Sequence, residues 1–136
     1  MLQIVDRDLK IHNIPLEKIQ ISDGSIKIIL DDIYEKSKCL IFKPYQAIKI
    51  TTVDCADLSF LETYPELFPS GIYQRYLLEE TESSWIPKLR ESLVDPDDDF
   101  LIQSRHFILD LRDNIVEIVA WDIQISDEIE SSNSQK

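Results

Sequence analysis

The chain has few of the residues that build phosphate loops, disulfide scaffolds or zinc sites. Its 136 residues include only two glycines, two cysteines and two histidines. Gly24 and Gly71 match neither the GxGxxG nor the GK[ST] pattern, which excludes nucleotide binding of those kinds. Cys39 and Cys55 form no CxxC pair and lack the paired ligand spacing of structural zinc. We therefore expect no cofactor and no metal.

An export signal and a long apolar run are also missing from the sequence. Residues 1–10 carry acids and bases where the apolar part of a signal peptide would continue. No apolar stretch approaches the roughly 18 residues that suggest a membrane span. We expect a single cytoplasmic domain over residues 1–126 with reduced cysteines, no membrane association and a mobile polar tail over residues 127–136.

The charge of the chain is strongly one-sided. Acidic residues outnumber basic ones by 26 to 14, which gives a formal net charge of −12. Such a surface repels nucleic acid phosphates, so a nucleic acid partner is not expected. Two interpretations remain open. The acidity either serves solubility or steers association with a basic protein.

Alternating apolar residues predict a sheet formed mainly from hairpins. The turn pair Asp23-Gly24 separates two alternating segments, and Arg112-Asp113-Asn114 separates two longer ones. The predicted strands cover residues 17–22, 25–32, 39–42, 47–53, 100–111 and 115–125, with residues 72–80 as a further candidate. The predicted fold is α+β, with about six or seven mostly antiparallel strands.

Two helical segments complete the predicted fold. Ser83 or Ser84 is a suitable N-cap for a helix that has Pro87 in its first turn, and this is the clearest helix. It should end before Asp95. Residues 55–70 lose the strand period and contain two prolines, so we expect a short covering helix there.

His106 is the most interesting titratable residue of the sequence. It begins the C-terminal hairpin beside Arg105 and lies close in sequence to Asp110, a position suited to a general base near a cleft. The alternative is a hydrogen-bonded structural histidine. A Cys-His enzyme would need Cys39 or Cys55 to meet this imidazole in space.

Carboxylates offer two further candidates. Glu117 lies on a strand between apolar residues, so it is either at the sheet margin or partly buried opposite a base such as Arg105 or Arg112. The run of Asp95, Asp97, Asp98 and Asp99 resembles the start of a calcium loop. Its sixth position is Phe100 rather than glycine, and its twelfth is a histidine, so an exposed acidic loop is expected instead.

The C-terminal half carries a family resemblance. Ser83-Ser84-Trp85-Ile86 precedes His106-Phe107, Asp113 and the segment Val116-Glu117-Ile118-Val119-Ala120. Over residues 72–121 this resembles a group of small bacterial proteins, some of which are similar to immunity proteins of polymorphic toxin systems. Phe107 stands where the group has tyrosine. The resemblance implies a β-rich fold without established catalytic residues.

These observations lead to three functional hypotheses. The first is a non-catalytic cytoplasmic protein-binding module, such as an immunity-type inhibitor, whose residues Asp95, Asp97, Asp98 and Asp99 meet a basic partner. The second is a small hydrolase that uses His106 with a cysteine or a carboxylate. The third is a structural subunit of a homo-oligomeric assembly, favoured if the C-terminal hairpin leaves an apolar face exposed.

Overall fold

The computed structural model describes residues 1–95 and 97–128, which form seven strands, one α-helix and four 3₁₀ turns. The strands are β1 (Leu2–Ile4), β2 (Lys18–Ser22), β3 (Ser25–Asp31), β4 (Ser37–Thr52), β5 (Leu78–Glu80), β6 (Arg105–Asp110) and β7 (Asn114–Asp127). The helix α1 spans Trp85–Glu91. The 3₁₀ turns span Val53–Cys55, Ser59–Thr63, Pro65–Leu67 and Pro69–Gly71.

All seven strands belong to one sheet, in the order β1-β5-β6-β7-β4-β3-β2. Every neighbouring pair is antiparallel, which confirms the predicted α+β class. The predicted N-terminal hairpin is β2–β3, and its turn residues Asp23 and Gly24 both have positive φ, as a tight two-residue hairpin turn requires. The predicted C-terminal hairpin is β6–β7, at the centre of the sheet, but its first strand begins at Arg105 rather than at residue 100.

Strand β4 differs from the sequence-based expectation. Two strands were predicted on either side of Pro44, but one strand of 16 residues runs through the proline. The pairing register with β7 shifts between Tyr45 and Ala47, which marks an irregularity in the ladder. A bulge is a place where a strand tolerates proline, because the ladder hydrogen bonds are already interrupted there.

Two cores lie on opposite faces of the sheet, because alternate residues of β6 and β7 contribute to each. The large core consists of Leu9, Ile11, Ile26, Ile28, Leu30, Leu40, Phe42, Leu77, Phe107, Leu109, Leu111, Val116, Ile118 and Ala120. The small core consists of Leu2, Leu61, Leu67, Leu78, Ile108 and Ile115. Both faces of the β6–β7 hairpin are therefore buried within the chain, so that hairpin leaves no apolar face exposed.

The small core is covered by the segment that was predicted as a short covering helix. This segment forms 3₁₀ turns, and it places Leu61 and Leu67 against the sheet. Prolines at the start of two of the turns allow the tight geometry but prevent an α-helix from extending through them. The segment covers the core as predicted, but it forms a series of 3₁₀ turns rather than one short helix.

The connection before β2 links distant parts of the sheet. Ile11 is completely buried and forms antiparallel bridges both with Asp32, next to β3, and with Arg75, shortly before β5.

Among the described residues, no helix is long and apolar enough to cross a membrane. Strand β7 extends to Asp127, one residue into the predicted polar tail, and residues 129–136 of that tail lie outside the described residues.

Candidate functional site

The pairing register of the central strands places His106 and Glu117 on one face of the sheet. His106 of β6 pairs with Val119 of β7, and Ile108 pairs with Glu117, so the imidazole and the carboxylate are diagonal neighbours. Because Ile108 belongs to the small core, both side chains lie on that face. His106 Nε2 is 2.8 Å from a carboxylate oxygen of Glu117.

Ser83 reaches the other nitrogen of the same imidazole. Strand β5 ends at Glu80, which pairs with His106, and the chain then turns back over the sheet toward α1. This turn places Ser83 Oγ 2.7 Å from His106 Nδ1. The serine oxygen also accepts hydrogen bonds from the backbone N–H groups of Trp85 and Ile86, at 3.1 and 3.2 Å.

The hydrogen-bond partners determine where the protons are. The oxygen of Ser83 accepts two N–H groups, so its own hydrogen is free to be donated to Nδ1 of His106. Nδ1 is then an acceptor, and the proton of the neutral ring is on Nε2, which donates to Glu117. The three side chains form a directed chain from serine hydroxyl to carboxylate.

Lys49 and Trp85 complete the surroundings of this chain. Lys49 pairs with Glu117 across β4 and β7, and its Nζ lies 3.5 Å from the carboxylate and 4.6 Å from the centre of the Trp85 ring. Trp85 makes an edge contact with His106 at 5.4 Å between ring centres. The hydrogen bond from His106, supported by Lys49, lowers the pKa of Glu117.

Glu117 is partly buried opposite a base, one of the two positions that the sequence left open, but that base is Lys49 rather than Arg105. Arg105 forms a two-pronged hydrogen bond with the buried Glu79, at 2.8 and 3.1 Å, and does not face Glu117. Asp110 accepts a hydrogen bond from Tyr73 at 2.9 Å instead of meeting His106.

The cysteines contribute no polar contact to His106. Among the described residues its hydrogen-bonding partners are Ser83 and Glu117, so the structure joins the imidazole to a carboxylate and to no thiol. Cys39 is partly buried, Cys55 is exposed, and both are free. Of the cysteines and carboxylates considered for an enzyme, the group that hydrogen-bonds to His106 among the described residues is the carboxylate of Glu117.

An open groove gives access to the serine end of this chain. It has a volume of about 310 Å³ and is lined by Ser83, His106, Arg105, Ile86 and neighbouring acidic residues. That volume is near the lower end for small-molecule sites. His106 itself is only 6% exposed, so Ser83 is its link to the groove.

A second candidate surface is the acidic loop, residues 94–102. Asp95, Asp97, Asp98 and Asp99 are all exposed. None of these carboxylates forms an ion pair with any residue that the structure describes. Asp95 and Asp98 instead accept hydrogen bonds from backbone N–H groups two residues further along the loop, which stiffens the turn.

The acidic loop contains one buried side chain and contacts strand β7 through Phe100. Leu101 is 3% exposed, whereas its neighbours Phe100 and Ile102 are 45% and 67% exposed. Trp121 of β7 donates a hydrogen bond from Nε1 to the carbonyl of Phe100 at 3.3 Å. The loop therefore presents four carboxylates beside exposed apolar side chains, and its backbone is hydrogen-bonded to Trp121 of β7.

Comparison with known proteins yields no relative. No family model, no curated protein and no solved structure matches the chain. The part of the chain that the structure describes also holds no group of three His, Cys, Asp or Glu side chains placed to bind a metal ion.

Ser83 is the member of the site that the sequence did not reveal. It was recognised as a candidate helix cap, but a contact with a histidine 23 residues further along has no local signal. Its oxygen does cap the first turn of α1, whereas Ser84, the residue directly before the helix, makes no side-chain cap hydrogen bond. The pairing of β5 with β6 would have been needed to find it.

Proposed function

We propose that this protein is a protein-binding module that recognises a basic protein partner through the acidic loop. In this proposal it acts as an immunity-type inhibitor, which binds over the partner's functional surface and occludes it. The proposal rests on four exposed aspartates that form no ion pair among the described residues, on a loop in which Leu101 is buried.

The charge of the loop supports a partner of opposite sign. Four exposed carboxylates in nine residues generate a local negative potential, and they belong to a chain whose formal net charge is −12. Such a field steers a basic protein toward the loop and raises the association rate, most strongly at low salt. The partner surface expected from this chemistry is rich in lysine and arginine.

The apolar side chains of the loop support a specific interface rather than simple charge attraction. Val94 is fully exposed, and Phe100 and Ile102 are largely exposed beside the aspartates. Protein interfaces combine an apolar centre with a polar or charged rim, and aromatic residues are enriched at their energetic centre. Phe100, held against Trp121 with 6.2 Å between ring centres, is suited to such a central position.

The test is affinity capture from an extract of the source cells with three versions of the protein. The first is the wild type, and the second carries Asp→Asn at positions 95, 97, 98 and 99. The third is a charge-matched control with Asp8→Asn, Asp54→Asn, Glu62→Gln and Asp113→Asn. These four control residues are exposed and form no ion pair with other described residues. Both variants lose four negative charges, so only the location differs.

We expect a stoichiometric basic protein to be retained by the wild type and the control and to be lost with the loop variant. Circular dichroism and thermal unfolding of all three proteins establish that each is folded. Equal retention by the loop variant and the control would show that the acidic loop is not the interface. Loss of the partner with both variants would show that binding depends on the total negative charge and not on its location in the acidic loop. That result would contradict the proposal.

A further inference from the structure

We propose that Ser83 is a nucleophile activated by His106, with Glu117 as the residue that positions the imidazole, and that this site hydrolyses small carboxylic esters. This activity goes beyond protein binding, and it uses the small-core face of the sheet rather than the acidic loop. The two proposals are therefore independent of each other.

The arrangement has the three parts that an activated serine needs. The nucleophile is within hydrogen-bonding distance of the base, 2.7 Å from Oγ to Nδ1. The base is oriented by a third group, 2.8 Å from Nε2 to the Glu117 carboxylate. Because the carboxylate accepts the Nε2 proton, Nδ1 is left unprotonated and can accept the proton of the serine.

The surroundings favour charge formation along this chain. The N–H groups of Trp85 and Ile86 donate to Ser83 Oγ, so they favour its ionised form. His106 and Glu117 are largely buried, which shields their interaction from solvent. Lys49, beside the carboxylate, helps to keep Glu117 ionised, and an ionised carboxylate is needed to stabilise the imidazolium that forms.

The groove beside Ser83 limits the substrate class. Its volume of about 310 Å³ admits a small ester, and Glu79, Glu80 and Glu82 line it together with Arg105. Arg105 is already bound to Glu79, so the groove is acidic in balance. An uncharged or positively charged ester is expected to enter, and an anionic one is disfavoured.

The reaction has two steps, transfer of the acyl group to Ser83 and hydrolysis of that acyl group by water. Ser83 Oγ attacks the ester carbonyl carbon and passes its proton to Nδ1 of His106. The bond from that carbon to the leaving oxygen breaks, and the leaving oxygen departs as an alcohol with the proton from Nδ1. Water then attacks the acyl group on Ser83 and gives a proton to Nδ1. When the serine oxygen leaves, it takes the proton back, and a carboxylic acid is released.

The test uses an uncharged alkyl fluorophosphonate, which bonds to activated serine oxygens with loss of fluoride. The intact chain is treated in the native state and, as a control, unfolded in urea, and the modified residue is located by peptide mass spectrometry. Ser84 is exposed next to Ser83, and the hydrogen bonds of the imidazole to described residues go to Ser83 and Glu117, so Ser84→Ala is the matched control for Ser83→Ala. Release of p-nitrophenol from p-nitrophenyl acetate measures turnover.

We expect an adduct on Ser83 in the native wild type and in Ser84→Ala, and none after unfolding. Glu117→Gln keeps the size of the side chain but removes its charge. It should slow labelling at least about tenfold and move the acid limb of the rate profile to lower pH, because the amide no longer stabilises the imidazolium. Absence of a Ser83 adduct between pH 6 and 9 would overturn the proposal. Unchanged labelling in Glu117→Gln would overturn the role of the carboxylate.

Discussion

Replacement of Ser83 by alanine removes a hydroxyl group that links α1 to the sheet. Loss of a capping hydroxyl costs about 1 kcal/mol. The buried Nδ1 of His106 also loses its donor, which adds about 1–2 kcal/mol. We therefore expect the free energy of unfolding to fall by about 2–3 kcal/mol, which lowers Tm by about 6–9 °C for a domain of this size. Ser84→Ala should change stability by less than about 0.5 kcal/mol, because its exposed side chain makes no capping hydrogen bond.

Urea unfolding monitored by tryptophan fluorescence measures the stability of both variants, since Trp85 makes an edge contact with the imidazole. Ser83→Thr is a useful companion, because it keeps the hydroxyl and should recover most of the lost stability. Equal stabilities of Ser83→Ala and Ser84→Ala would contradict this role of the Ser83 hydroxyl group. So would a Ser83→Ala variant as stable as the wild type, because the hydrogen bonds to His106, Trp85 and Ile86 would then contribute nothing.

Three further predictions concern other parts of the molecule. Since the pKa of Glu117 is lowered, its charged form adds stability above about pH 4.3 that disappears as the pH falls through the lowered value. Glu117→Gln should therefore cost about 1–2 kcal/mol at pH 7 and progressively less as the pH falls through the lowered pKa of Glu117, as measured by urea unfolding. Leu101→Ala should cost about 2–3 kcal/mol and increase amide hydrogen exchange in the acidic loop, because it removes the buried side chain of the loop. Cys55 should react with a maleimide well before Cys39, because burial raises the pKa of the Cys39 thiol. Mass spectrometry measures the order of labelling, and earlier labelling of Cys39 would contradict this prediction.

The parts of the fold that the sequence predicted well have strong local signals. Asp23-Gly24 fits a two-residue turn that needs positive φ, and apolar residues alternate on both sides of it. The C-terminal hairpin has two long apolar segments around a polar turn, which makes it a natural centre of the sheet. Ser83 and Pro87 identified the start of α1 for the same reason, since capping and first-turn preferences are local.

The parts that the sequence did not predict depend on contacts between distant residues. Strand β1 pairs with β5, almost 80 residues away, and nothing in either segment of three residues indicates the partner. Strand β4 continues through Pro44 because it pairs with β7 on both sides of the bulge. The local preference against proline in strands takes no account of such pairing with a distant segment. Most of residues 72–80 stay outside the sheet, and only Leu78–Glu80 forms a strand there.

The candidate sites were also predictable where the signal is local and unpredictable where distant residues meet. The exposed acidic loop was predictable, because four aspartates in five residues are too costly to bury and favour solvent. His106 and Glu117 were identified separately from the sequence, but their contact follows from the β6–β7 register. Ser83 joins them only because β5 ends opposite His106, so the complete chain of three side chains required the structure.

The association rate between this protein and its captured partner, measured at several salt concentrations, tests recognition through the acidic loop. With the loop aspartates at positions 95, 97, 98 and 99 replaced by asparagine, we expect association at low salt to slow about tenfold and its salt dependence to flatten. The charge-matched control should stay close to the wild type. If the loop variant and the control associate at the same rate at every salt concentration, the acidic loop does not recognise the partner.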